Sequence, residues 1–243
     1  MPYIEIDNLQ LYYEDFGRGE PILFLHSSFS RGLLSFGAQI QPLQEKFRCI
    51  IPDFRGHGRT ICDDLKWNSR KLSEDMIAFL DKLEMKRIHL VGYSMGAYVG
   101  MYMASKYPER VRSFISIGGG VTPNPNGSGN YLPEEVLRRN DKEFIEEITL
   151  RHFDAHKGNW QEFLRQTVVD WRNHPNMSDE EWQAIRCPVL FINGENDSFG
   201  SCKELKAKVP HAEIFEVKDC GHRPHFAMEH AKEVNERILK FLK

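Results

Sequence analysis

The sequence predicts an α/β protein: a mostly parallel, eight-stranded sheet with helices on both faces, interrupted by a helical insertion. Three observations carry this. Short apolar, β-branched runs alternate with segments of helical period in both the first and the last part of the chain. Several of those runs are apolar at every position, as strands covered on both faces are. Between residues 121 and 186 the alternation gives way to consecutive helical segments. Strands alternating with helices imply βαβ units and a parallel sheet.

Each element has its own signal. Residues 3–6 and 9–14 alternate apolar and polar about Asp7-Asn8, a turn pair, and form an antiparallel edge. After the loop Gly17-Arg18-Gly19-Glu20, the continuous run 21–26 is a strand buried on both faces. Helical period spans 33–46, a strand 47–52, and a helix 69–83 with Ser69 or Ser73 as its cap. A strand at 87–91 leads into a helix at 95–107 that stops before Pro108, and 111–117 is a further strand. The insertion opens on Thr122-Pro123-Asn124-Pro125-Asn126-Gly127-Ser128-Gly129, too rich in Pro, Gly and Asn for any regular element. Helical segments follow at 133–140, 142–153 and 160–173, and Ser178-Asp179-Glu180-Glu181 is a capping box for one more. Strands at 189–193 and 213–217 and a helix at 224–242 complete the chain. The expected organisation is one domain over 1–243, with a core at 1–120 and 187–243 and a helical lid at 121–186.

Composition narrows the function classes. With 41% hydrophobic and 28% charged residues, 12 Pro and 18 Gly, the chain is globular rather than fibrous or disordered. Thirty-two basic against 35 acidic residues leave −3 and no basic footprint for nucleic acid. The first residues, Met1-Pro2-Tyr3-Ile4-Glu5-Ile6-Asp7, lack the basic start and apolar run of a signal peptide. Five cysteines (Cys49, Cys62, Cys187, Cys202, Cys220) are an odd number at scattered spacings, which suits reduced thiols in a cytoplasmic protein. The sequons at Asn126 and Asn176 are then chance matches. Residues 88–105 carry no formal charge with His89 neutral, and Gly92, Gly96 and Gly100 recur every fourth position. That pattern suits a membrane helix with a glycine face, but a buried strand running into a buried helix explains it at lower cost, so no membrane span is expected.

The chemistry concentrates at strand ends. Gly92-Tyr93-Ser94-Met95-Gly96 sits where a strand meets a helix, the context of a nucleophile elbow. A glycine-rich turn cradling phosphate is the alternative, but the Gly-Lys-Ser/Thr ending of a nucleotide loop is missing. A serine hydroxyl needs a base to take its proton. Among ten histidines, His222 stands out in Cys220-Gly221-His222, between the last strand and the last helix. Asp197, in Asn193-Gly194-Glu195-Asn196-Asp197, follows the preceding strand, while Glu195 and Asp219 compete for the same role. All three candidates fall at carboxyl ends of parallel strands, where open α/β sheets place their ligand sites. Their chain order, Ser, Asp, His, is that of the α/β hydrolases.

These motifs, with Leu25-His26-Ser27-Ser28 and Asp53-Phe54-Arg55-Gly56-His57-Gly58, give a chain that resembles the α/β-hydrolase fold superfamily over essentially its whole length. It looks closest to the small esterase, haloperoxidase-like, enol-lactonase and carbon–carbon hydrolase branch. The resemblance implies Ser94 as nucleophile, His222 as general base then acid, and Asp197 as the group orienting the imidazole. It assigns the oxyanion hole to the backbone N–H groups of Ser28 and Met95. Ser27 departs from the pattern, standing where a glycine usually follows the histidine. Asp53, Arg55 and His57 read as loop fasteners.

Serine at the elbow argues against haloalkane dehalogenase and epoxide hydrolase chemistry, which use aspartate there. The first reading is therefore a serine hydrolase of a small-molecule ester, thioester or lactone, without cofactor or metal. The second is carbon–carbon hydrolysis or a lyase step on a keto or dienol acid, with Arg138, Arg139, Arg151 and Arg172 available to a carboxylate. The third is a weakly catalytic ligand-binding receptor on the same fold. Phe29 and Tyr93, with Phe153, Trp160 and Trp171 of the insertion, are the candidate substrate-binding residues. His152 and His156 lie at i, i+4 but lack the glutamate of a zinc-protease motif, and read as solvated. A homo-oligomer remains open.

Overall fold

The computed structural model describes residues 3–123, 127–226 and 228–243, without the side chains of 228 and 229. The remainder of the Pro- and Asn-rich opening of the insertion, residues 124–126, lies outside the described residues, as do Met1 and Pro2 of the N-terminal reading. The strands are β1 (Tyr3–Ile6), β2 (Leu9–Gly17), β3 (Glu20–Leu25), β4 (Phe47–Pro52), β5 (Ile61–Cys62), β6 (Ile88–Tyr93), β7 (Val111–Ile117), β8 (Val189–Gly194) and β9 (Glu213–Val217). They join in the order β1-β2-β4-β3-β6-β7-β8-β9, with β5 paired to β2. β1, β2 and β5 pair antiparallel, whereas β3, β4 and β6 to β9 run parallel. Among the described residues the sheet thus has nine strands, not eight. The extra one is two residues long, too short to show any periodicity.

Helices flank the sheet: α1 (Gly32–Gln44), α2 (Ser69–Lys82), α3 (Met95–Lys106), α9 (Cys202–Lys208) and α10 (Met228–Phe241). Between β7 and β8 run α4 (Pro133–Arg138), α5 (Lys142–Arg151), α6 (Phe153–His156), α7 (Trp160–Asn173) and α8 (Asp179–Ala184). Asn68 rather than Ser69 caps α2, accepting the Lys71 N–H, and the Ser178 capping box is formed on α8.

The continuous apolar runs of the central strands follow from two cores, one on each face. In β3, Leu23 and Leu25 enter the core that holds Met76, Phe79 and Val99, while Ile22 and Phe24 enter the core that holds Phe36, Val234 and Ile238. β8 splits the same way, with Val189 and Phe191 on one side and Leu190 and Ile192 on the other. Period-two geometry sends neighbours to opposite faces, so both must be apolar. Each such side chain contributes about 1.5–3 kcal/mol of transfer free energy.

The uncharged stretch 88–105 resolves into β6, a turn at Ser94 and α3, every residue of α3 but Lys106 being buried. No helix of the described residues is long and apolar enough to cross a membrane. Asp53, Arg55 and His57 fasten loops as expected. Asp53 accepts the N–H groups of Gly32 and Arg59, Arg55 forms a buried two-pronged bridge to Asp75, and His57 Nδ1 donates to the Arg55 carbonyl. All five cysteines are free and buried.

Candidate active site

Ser94 sits at φ 54°, ψ −116°, between the last residue of β6 and the first of α3. A non-glycine residue held there costs about 1–3 kcal/mol, so the surroundings must enforce it. Its N–H donates to the Ile117 carbonyl at 2.9 Å, and its carbonyl accepts from Ala97 at 2.9 Å. The flanking glycines have a steric cause. A Cβ on Gly96 would lie 1.8 Å from the Leu25 carbonyl oxygen, and one on Gly92 would lie 2.3 Å from that of Gly96. Helix and sheet therefore meet backbone to backbone, projecting the serine beyond the sheet edge.

Three elements converge on it. His222 Nε2 lies 2.9 Å from Ser94 Oγ, and His222 Nδ1 lies 3.1 Å from both carboxylate oxygens of Asp197. The Asp197 carboxylate is fully buried, whereas the imidazole keeps about 20% exposure. Asp197 is itself fixed, accepting from the Phe199 N–H and from Asn193 Nδ2. The rival carboxylates are elsewhere: Glu195 accepts the Asp219 N–H, and Asp219 is an exposed turn residue at φ 52°. Gly118, at φ 60°, leaves room for the imidazole, since a Cβ there would stand 3.0 Å from His222 Cε1.

The loop after β3 faces the same space. His26 is fully buried, donates from Nδ1 to the Ser27 carbonyl and accepts the Phe54 N–H at Nε2. Burial pushes its pKa down to about 4, so it is a neutral fastener of the loop. Among the described residues no acceptor takes the N–H of Ser28 or of Met95. The Ser28 hydroxyl oxygen is occupied, accepting from the indole N–H of Trp171 on α7 at 2.8 Å.

A cavity of about 270 Å³ opens over Ser94. Phe29, Tyr93 and Trp171 line it as expected, with Ser28, Ser94 and His222. Phe153 and Trp160 do not. Phe153 is 54% exposed, and Trp160 is buried in the apolar core. An apolar stripe shows that a helix packs, not which neighbour it meets. Tyr98, Tyr131, His174, Phe199 and Arg223 also line the cavity, beyond the residues the sequence points to. Phe199 and Arg223 have a sequence signal in their closeness to Asp197 and His222, while the other three have none. Burial pushes the Tyr93 phenol up to about 12 and the Tyr98 phenol further, so both stay protonated hydrogen-bond donors.

The expectation for His152 and His156 fails. His152 and His156 are buried, not solvated. His152 Nδ1 accepts the Gly58 N–H at 2.8 Å and its ring stacks on Phe163, placing it inside the joint between the helical segment and the core. Among the described residues no group of three or more His, Cys, Asp or Glu is placed to hold a metal.

Comparison with known proteins identifies the family. Residues 22–237 match the model of the alpha/beta hydrolase family. The 2-hydroxy-6-oxononadienedioate/2-hydroxy-6-oxononatrienedioate hydrolase of Escherichia coli (strain K12) is 27% identical over 268 residues, covering 96% of this chain and 91% of that protein. Among solved structures, the enol-lactonase from Burkholderia xenovorans LB400 has a TM-score of 0.78 at 19% identity, over 99% of each chain. The thermophilic esterase from Thermogutta terrifontis has a TM-score of 0.77 at 25% identity, covering 99% of this chain and 97% of that one. With a family match over most of the chain and with hydrolases as relatives, the chain belongs to the alpha/beta hydrolase family and is an enzyme.

Proposed function

We propose that Ser94, His222 and Asp197 form a nucleophilic triad that hydrolyses a small carboxylic ester, thioester or lactone. The observation that carries this reading is the unbroken chain of contacts from Ser94 Oγ through His222 to the buried Asp197 carboxylate, at 2.9 and 3.1 Å. In the reaction, Ser94 Oγ attacks the carbonyl carbon while its proton moves to His222 Nε2. The negative charge formed on the carbonyl oxygen is held by the N–H groups of Ser28 and Met95, each donor of this kind being worth about 2.7–4 kcal/mol. His222 then gives its proton to the departing oxygen or sulfur, leaving an acyl-Ser94. A water molecule deprotonated by His222 attacks that acyl carbon, and the carboxylic acid and free Ser94 are regenerated. Asp197 holds Nδ1–H and stabilises the imidazolium through both halves.

The helical segment 121–186 serves as a lid, supported by Trp171 and Tyr131 lining the cavity from that segment. A cavity of about 270 Å³ suits a short acyl group. A second reading is favoured by the Escherichia coli relative, named a hydrolase of a 2-hydroxy-6-oxononadienedioate. A substrate so named carries no ester, its hydrolysis would break a carbon–carbon bond, and the same serine and histidine would serve that cleavage. A panel of esters, thioesters, lactones and a 2-hydroxy-6-oxo-dienoate, assayed with one purified sample, tests both. Steady turnover of esters or lactones above the dienoate supports the first reading, and the reverse order replaces it with the second. A single burst of product without turnover contradicts both and favours a receptor.

A further inference from the structure

A cation at the mouth of the cavity has no acidic partner among the described residues. Arg223 follows His222 in the chain and lines the 270 Å³ cavity together with a second, wider one of about 790 Å³. The two share Ser27, Phe29, Tyr93 and Tyr131 as well, so they meet at this mouth. In the wider cavity Arg138, Arg139, Arg151 and Arg223 face two carboxylates, Asp141 and Glu147, although the whole chain carries −3. Three of these arginines are engaged. Arg138 bridges Glu135 at 2.6 Å, Arg139 donates to the Asn130 carbonyl at 2.6 Å, and Arg151 holds Glu147 and the Phe29 carbonyl.

Arg223 differs. Among the described residues it forms no ion pair, and its guanidinium stands 5.9 Å from the Phe226 ring. It also lies within hydrogen-bonding reach of the Tyr93 phenol, and that contact and its charge oppose part of the rise that burial imposes there. A guanidinium offers paired N–H donors that match a carboxylate, and the aromatic surfaces of Tyr93 and Phe226 shield the site on one side. The excess of arginines around the wider cavity adds an attractive field for anions approaching it.

We propose that Arg223 determines specificity by binding a free carboxylate on the substrate, so that the enzyme prefers small acidic substrates. These are molecules with one anionic carboxylate beyond the bond that is cleaved. The assignment rests on the hydrolase reading for the reaction, but anion binding itself does not require turnover. Because Arg223 is exposed and bridges no acid among the described residues, replacing it removes none of the ion pairs described.

The test compares monomethyl adipate with its neutral isostere methyl heptanoate, measuring acid release at constant pH for the wild type, Arg223→Gln and Arg223→Lys. The wild type should favour the anionic ester, and Arg223→Gln should lower the anionic-to-neutral ratio of kcat/KM by about 10- to 100-fold, mostly through KM. Arg223→Lys should restore part of it, and added salt should erode the wild-type preference. In parallel, calorimetry measures binding of heptanoate against heptanamide to Ser94→Ala, with and without Arg223→Gln. A preference for heptanoate that depends on Arg223 supports the anion site even where no ester is hydrolysed, in which case the hydrolase reading alone fails. A kcat/KM ratio unmoved by Arg223→Gln in an active enzyme overturns the proposal. So does equal binding of heptanoate and heptanamide.

Discussion

The indole N–H of Trp171 donates to Ser28 Oγ at 2.8 Å, joining α7 to the loop that follows β3. The Trp171 ring also packs edge-on against Phe29 and Tyr131, at 5.1 and 5.3 Å between centroids. One side chain therefore belongs both to the cavity wall and to the support of a proposed oxyanion donor. Trp171→Phe keeps an aromatic ring and removes the hydrogen bond, and should lower kcat/KM about three- to tenfold, in line with a net ~1 kcal/mol for such a bond. Ser28→Ala should cost a similar amount, and the double variant no more than either alone, because both remove one interaction. Full additivity in this cycle would separate the two residues.

Replacing Gly96 with alanine should be disproportionately damaging. Its Cβ would fall 1.8 Å from the Leu25 carbonyl oxygen, a backbone atom that cannot rotate aside. Helix α3 must then lift from β3, so the midpoint of chemical denaturation should correspond to a loss of about 1–3 kcal/mol or more. Activity should fall further than stability, since Ser94 rides on that junction. Gly37→Ala, whose Cβ meets nothing within 4 Å, is the matched control and should be neutral or slightly stabilising.

Acid should destabilise the fold from the histidines inward. Burial lowers His26 to about 4 and His225 to about 3, and holds His57 and His152 well below the usual range. An unfolded chain takes up these protons near pH 6.5, whereas the folded chain resists until far lower pH. The stability they contribute is complete above about pH 6.5 and is lost as pH falls towards 4. Asp170, raised to about 6 by burial, acts in the opposite sense between its unfolded value near 3.8 and pH 6, and Asp53 is raised as well, but these are two groups against seven, since burial also lowers His89, His156 and His174. Tm should therefore drop on moving from pH 7.5 to 5. A Tm that is flat or rises towards pH 5 contradicts the burial of these rings.

Asp197 and Asp219 give a paired test of the orienting acid. Asp197→Asn keeps the shape but cannot hold Nδ1–H in the required tautomer, and turnover should fall by about 10³- to 10⁴-fold with folding intact. Asp219→Asn alters a turn residue bonded through its own N–H to Glu195, and should stay within about twofold of wild type. Comparable losses in both would mean that the acid has been misplaced.

The degree to which this molecule is legible from its residues varies with the kind of interaction. β7, β9 and α7 appear at their expected bounds because an apolar period reports a local geometry. Ser94, Asp197 and His222 are legible because strand ends carry them, and the parallel sheet brings strand ends together. α9 is not legible in the sequence, although Ser201 and Glu204 form its capping box and Cys202 and Leu205 its buried face. At seven residues it shows too little period to register. The cavity wall was half legible. Trp171 and Trp160 carry the same kind of stripe on one helix, yet one faces the cavity and the other the core. That choice is made by how α7 docks, which no local pattern encodes. The same holds for His152, whose burial depends on meeting Gly58 ninety-four residues away.

Labelling with a fluorophosphonate reports on Ser94 itself, because the probe reacts with a serine only where a base has activated it and an oxyanion site receives the phosphoryl oxygen. Wild-type protein should take up one probe per chain, on the peptide that contains Ser94, while Ser94→Ala should take up none and His222→Ala should label at least about 100-fold more slowly. Equal labelling of the wild type and Ser94→Ala, or a labelled peptide that lacks Ser94, would contradict the assignment of the nucleophile and the mechanism built on it.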